Sequence, residues 1–259
     1  MRKNENKVLD LINIKKTISV PDIYKTLKIS ESTARRAVTV LSDMKLINRY
    51  HGGAQSIVDI ENQKDVKGRM IINPELKDNI ARTAAMQVCS GQTVILLGGT
   101  TVYMMCKYII NKNITVLTNS MLVFDELKDA SNIRLILLGG TYNADEMELE
   151  GVLTNFGLKL FNADCMFFGT NGFDPNYGFL TSRIEAIELY RGCINASRLK
   201  YALADSSKLF AQGPAVIATC ENVDYLITDT GISREIATIF TEKKTKVIYS
   251  DIFPKKGSI

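Results

Sequence analysis

Three short apolar runs, residues 93–97, 115–118 and 134–138, alternate with segments of helical period, and this alternation constrains the chain more than any other feature. Each run is too short for a buried helix and lacks polar alternation, so it reads as a strand covered on both faces. Gly98-Gly99-Thr100-Thr101 opens a helix to about Ile110, and Asn119-Ser120 opens another through Leu127. Continuous apolar strands joined by helices predict an α/β domain over residues 75–259 with a mostly parallel, doubly wound sheet. Ligands of such sheets bind beyond the carboxyl ends of the strands. Two loops there have phosphate chemistry, Gly98-Gly99-Thr100-Thr101 and Thr118-Asn119-Ser120. Glycine lets the backbone approach an anion, the next helix offers free N–H groups, and the hydroxyls add donors. An ordinary tight turn explains a Gly-Gly-Thr-Thr loop equally well. Neither loop is a Walker A motif or a Gly-x-Gly-x-x-Gly fingerprint, so no nucleotide cofactor is indicated.

Composition removes other chemistries. The 259 residues include a single histidine, His51, which excludes histidine-rich metal centres and leaves one place for a His-dependent nucleophile. Five cysteines form no Cys-x-x-Cys pair and have mostly apolar neighbours, which predicts buried reduced thiols in a cytoplasmic protein. The polar N-terminus shows no secretory signal. The longest uncharged run, residues 83–106, is broken by polar and glycine clusters, so no membrane span is expected.

Charge is unevenly placed. Residues 1–60 carry 11 Lys+Arg against 6 Asp+Glu, whereas residues 61–259 carry 21 against 22. The basic excess lies wholly in the first segment and favours a polyanionic partner. Val8, Leu11 and Ile12 begin a helix; Ser19-Val20-Pro21-Asp22 starts a second, which ends near Lys28. Ser30 caps a third helix with an apolar face of Ala34, Ala37, Val38 and Leu41, leaving Ser32, Thr33, Arg35, Arg36 and Thr39 elsewhere. The next stretch, residues 46–54, alternates and then turns at Gly52-Gly53, as a β-wing does. Two short helices, the second basic outside, followed by a wing make a winged helix-turn-helix over residues 1–56. A helical docking module with a solvated basic face is the plainer alternative. Residues 57–74 are mixed polar and end in Asn73-Pro74, a linker reading.

Ser30-x-x-Thr33-x-Arg35-Arg36, followed by Leu46-x-x-Arg49-x-His51-Gly52-Gly53-Ala54, resembles the DeoR family of bacterial transcriptional regulators. Further landmarks extend the resemblance from about residue 5 to 250: Asp164-x-x-Phe167-Phe168-Gly169-x-Asn171-Gly172, Tyr177-Gly178-Phe179-Leu180-Thr181, Glu185-Ala186, Asp205-Ser206-Ser207-Lys208 and Tyr225-Leu226-Ile227-Thr228-Asp229. The resemblance implies a homo-oligomeric (dimeric or tetrameric) repressor that binds double-stranded operator DNA. It also implies a sensor domain resembling ribose-5-phosphate isomerase in fold, with a phosphorylated sugar or polyol as effector. Carried over by position, Ser32, Thr33, Arg35, Arg36, Arg49 and His51 would face DNA. Gly99, Thr100, Thr101 and Lys208 would hold phosphate, and Thr118, Asn119, Asn171, Gly172, Glu185 and Asp205 would line the sugar side. The chain departs from the family string at Ala37, where Asp is usual, and at Lys45, where Gly is common. Leu97-Gly98 stands where Asp-Ser is common, and the nearest cation after Glu185 is Arg191.

The rival enzyme reading is a sugar-phosphate isomerase, which needs a positioned carboxylate base and groups that polarise oxygen. An amide, Asn171, stands where an acid would be expected, and no lysine occurs between Lys159 and Lys200. No catalytic residue, metal or cofactor is therefore expected. A ligand-binding protein that has lost specific DNA reading is the third alternative.

Overall fold

A computed structural model describes residues 3–15, 17–44, 46–50, 52–56, 65–209, 211 and 213–250. The chain divides into two compact units, Met1–Arg69 and Met70–Ile259.

In the first unit, α1 (Lys3–Lys15), α2 (Val20–Leu27) and α3 (Glu31–Asp43) pack around Val8, Ile12, Ile23, Ala34, Val38 and Leu41. Ser19 caps α2 by accepting the Asp22 N–H, and Lys28 ends it in the left-handed conformation. Ser30 caps α3 by accepting the Thr33 N–H at 3.2 Å. The wing strands β2 (Ile47–Tyr50) and β3 (Gly53–Ser56) pair antiparallel. A strand absent from the sequence reading, β1 (Thr17–Ser19), joins the far edge of β3. Gly53 packs against the Tyr50 ring, and a Cβ there would fall within 2.6 Å of it, so any larger residue would require the ring to move. Residues 57–64 of the expected linker lie outside the described residues, and α4 (Val66–Met70) occupies part of the remainder.

The second unit is built on seven parallel strands in the order β15-β14-β12-β9-β4-β5-β6. These are β4 (Thr93–Leu96), β5 (Ile114–Thr118), β6 (Ile133–Leu137), β9 (Ala163–Gly169), β12 (Ser197–Leu203), β14 (Tyr225–Thr228) and β15 (Lys246–Tyr249). Successive residues of β4 enter opposite cores, as the period of a strand requires: Val94 and Leu96 join one, Ile95 the other. The first core is covered by α5 (Pro74–Ala85), α6 (Thr100–Ile109) and α7 (Met121–Leu127). The second is covered by α8 (Val152–Leu158), α9 (Ile187–Asn195) and α10 (Arg234–Glu242). An antiparallel sheet of β10 (Gly172–Asp174), β11 (Gly178–Thr181) and β13 (Ala215–Ala218) contributes to that same core. Phe167, Tyr201 and Tyr225 stack across β9, β12 and β14 with ring centroids 4.8 Å apart, tying the sheet along its first face. A hairpin of β7 (Thr141–Asn143) and β8 (Glu148–Glu150) completes the unit.

The thiol expectation needs one correction. Cys106, Cys165, Cys193 and Cys220 are buried, and burial pushes the Cys165 and Cys220 thiols up to about 12 and about 11. Cys89 is exposed, because it sits in the turn between α5 and β4 and not on either element. Among the described residues no helix is long and apolar enough to cross a membrane.

Candidate functional site

The first unit presents a polar face along α3. Ser32, Arg35 and Arg36 are exposed there. Arg35 reaches back one turn to Glu31 with Nη2 at 2.7 Å, in a pair whose side chains are both more than half exposed. Such an exposed pair contributes little stability and is readily exchanged for another anion. Thr33 is half-buried and shares a 2.7 Å contact with the Ser30 hydroxyl, so it helps shape the helix start. The wing is joined to this face: Arg49 Nη1 donates to Thr39 Oγ1 at 3.1 Å, and Thr39 donates to the Arg35 carbonyl. Tyr50 sits under the wing with its hydroxyl pushed up to about 12, by burial first and by Asp22 second. His51 lies outside the described residues.

The second unit gathers its candidates at one end. Strand order reverses between β4 and β9, which makes the crevice beyond their carboxyl ends the topological switch point. Four loops leave the sheet there, after β5, β4, β9 and β12. Gly99 caps α6 with φ 121°, a conformation for glycine, and supplies no side-chain cap. Tyr103 is the first N–H of this helix bonded within it, to the Gly99 carbonyl. The Thr100, Thr101 and Val102 amides thus make an N-terminus suited to an anion. Thr118 is buried and accepts the Ser120 N–H at 3.0 Å, holding the second loop. Asn171 Oδ1 accepts from Thr181 Oγ1, and Gly172 packs so closely on the Ala211 carbonyl that a Cβ would lie 2.2 Å from it. Asp205 is buried and accepts from Asn73 Nδ2 at 3.1 Å, while Lys208 Nζ donates to the Thr170 carbonyl at 2.6 Å. That last bond ties the loop after β12 to the loop after β9. Glu185 is exposed on the 3-10 turn Ile184–Ala186 that follows β11, two residues beyond Arg183.

A cluster that sequence reading did not single out stands beside these loops. Glu148 is 7% exposed, and its Oε2 accepts from Arg183 Nη1 at 3.1 Å and from Asn119 Nδ2 at 3.3 Å. Arg183 Nη2 also pairs with Glu150. Gly98 makes room for the Glu148 carboxyl, since a Cβ on Gly98 would fall 1.6 Å from Oε1. A carboxylate from the hairpin thus occupies the space a side chain at residue 98 would take. The one available signal was Glu148-x-Glu150, two acids on one face of a strand.

Burial raises the Glu148 carboxyl above the usual carboxylate range; Arg183 opposes this, and Glu146 reinforces it. Tyr190 faces the same cluster and is raised by burial first. An acid raised on folding costs stability once ionised. That cost is absent below its unfolded value and grows as pH rises toward the folded one. The stability of Glu148→Gln relative to the wild type is therefore expected to rise as pH goes from 4 to 8, whatever offset the lost Arg183 pair adds at every pH. Thermal melts across that range check it; a difference that falls as pH rises would contradict the assignment. Among the described residues no group of three His, Cys, Asp or Glu side chains is placed to hold a metal ion.

Residues 5–59 match the model of the DeoR-like helix-turn-helix domain, and residues 72–230 match the DeoR C terminal sensor domain. The chain is 32% identical over 241 residues to the HTH-type transcriptional regulator GolR of Listeria innocua, covering 93% of this chain and 95% of that one. It is also 32% identical to the lactose phosphotransferase system repressor of Streptococcus mutans, covering 87% of this chain and 96% of that one. Among solved structures, ribose 5-phosphate isomerase A of Methanocaldococcus jannaschii aligns with 53% of this chain and 55% of its own, at 16% identity and a TM-score of 0.40.

Proposed function

The protein belongs to the DeoR family of helix-turn-helix transcriptional regulators, and from that premise we propose that it is a repressor of a carbohydrate operon whose operator binding is controlled by a phosphorylated sugar or polyol. The observation that supports the effector half is the meeting of four loops at the switch point, with the α6 N-terminus and Lys208 both suited to phosphate. The name of the Streptococcus mutans relative, a phosphotransferase-system repressor, points to the same metabolic area. Arg35, Arg36 and Ser32 would meet bases and phosphates in the major groove, with Arg49 at the wing and His51 beside it.

The pocket binds without turnover in this reading. Asn171 cannot abstract a proton, and of the buried carboxyls nearby Glu148 is paired with Arg183 while Asp205 accepts from Asn73 Nδ2 and the Ser207 N–H. Operator binding requires it to act in the cytoplasm in this reading. A gel shift on DNA upstream of its own operon tests the reader half: a shift at low salt that competitor DNA does not abolish is expected, and no shift sinks it.

Two recognition helices in successive major grooves, about 34 Å apart, require at least two chains. Self-association is supported by α8, whose Val152, Leu153 and Phe156 are 83%, 70% and 64% exposed, with Leu160 beyond it at 71%. No residue of α8 itself is charged, and the exposed Lys159 follows it before Leu160, so a second copy on this face would bury an apolar helix surface. Phe156→Glu is expected to yield monomers in sedimentation velocity with the fold retained. An unchanged oligomer would place the interface elsewhere.

A further inference from the structure

Resting on the reading just given, we propose that Glu148, Glu150 and Arg183 make the pocket select a ligand with one phosphate and an uncharged, hydroxyl-bearing chain, and reject ligands with a second anionic group. Gly98, whose missing side chain admits the Glu148 carboxyl, precedes the α6 cap by one residue. The carboxyl therefore stands beside the loop that would take the phosphate. One guanidinium is shared between two carboxylates, Glu148 and Glu150, which leaves the three groups with a net negative charge when both acids are ionised. Glu146 adds its field to both Glu148 and Arg183.

Asn119 supplies an independent observation. Its side chain is fully buried, and Nδ2 donates to Glu148 Oε2 and to the Leu149 carbonyl, while Oδ1 is buried with no partner. A buried acceptor without a donor calls for one. Carboxylate oxygens and an amide oxygen recognise only donors, which in a phosphorylated sugar or polyol are its hydroxyls. An ionised phosphate or carboxylate offers acceptors alone and would meet like charge in a partly desolvated place. The cluster thus works by repulsion of the wrong ligand as well as by attraction of the right one.

The test is a thermal-shift and calorimetric titration of the full chain with matched probes. These are sugar and polyol monophosphates of three to six carbons, the corresponding bisphosphates, the corresponding phosphorylated sugar acids, and inorganic phosphate. At least one monophosphate is expected to bind on the order of 100-fold tighter than its bisphosphate and acid counterparts. Glu150→Gln and Glu148→Gln should each narrow that ratio to about 10-fold or less. A bisphosphate or acid that binds as tightly as its monophosphate and releases operator overturns the proposal and leaves the effector reading standing. Both variants folded and keeping the wild-type ratio overturn it too. If no phosphorylated probe binds, the effector reading and the proposal fall together.

Discussion

Replacing Arg35 or Arg36 by alanine is expected to abolish operator binding at physiological salt while leaving the first unit folded. Both side chains are exposed on α3, and the apolar face that holds the helix in place is made by Ala34, Ala37, Val38 and Leu41. Arg35 gives up only its exposed pair with Glu31, worth at most about 1 kcal/mol. On DNA the loss is larger. A bidentate arginine contact to guanine discriminates by about 1–3 kcal/mol, and a symmetric operator doubles it because each copy loses one. The two variants need not behave alike. A base-reading arginine flattens preference at one operator position, whereas a phosphate-reading one lowers affinity for all sequences and reduces the salt slope by about one per contact. Fluorescence titrations at several salt concentrations separate these outcomes. Ala37 sharpens the expectation, since between Glu31 in the first turn and Asp43 in the last no acid of α3 opposes phosphate approach.

Lys208→Ala is expected to leave operator affinity unchanged and to remove the response to the effector. A charge-assisted bond to phosphate contributes about 1.5–3 kcal/mol, so ligand affinity should fall roughly 10- to 150-fold. The lysine also donates to the Thr170 carbonyl, and Thr170 in turn bonds the Gly172 and Leu180 carbonyls through its hydroxyl. Lys208→Arg controls for this positioning role, because it keeps the cation and changes the shape of its donors. Ligand response that survives Lys208→Ala unchanged would show that the phosphate sits elsewhere.

The parallel sheet was legible because its strands are buried on both faces and therefore read as unbroken apolar runs, as in residues 93–97. The recognition helix was legible because its cap, apolar face and arginines lie within one short stretch. Strand β1 was not, since three residues ending in a helix cap carry no periodic signal. The antiparallel sheet joins β11 to β13 across a long separation, which no local pattern records. The same holds for the Glu148–Arg183 pair, 35 residues apart in sequence. Gly98 illustrates the limit well. In sequence it is a lost side chain, whereas in three dimensions it is the space that admits a carboxyl from the hairpin.

In the proposed function one chain couples a DNA-reading unit to a phosphate-binding one. The most direct test titrates labelled operator with the protein while the tightest-binding monophosphate is held at increasing concentration. To change occupancy decisively, the ligand must favour one arrangement by on the order of 100-fold. A rise in operator Kd of about that size is expected, with operator weakening the ligand by the same factor, since linkage is reciprocal. Tight ligand binding with no change in operator affinity would contradict it.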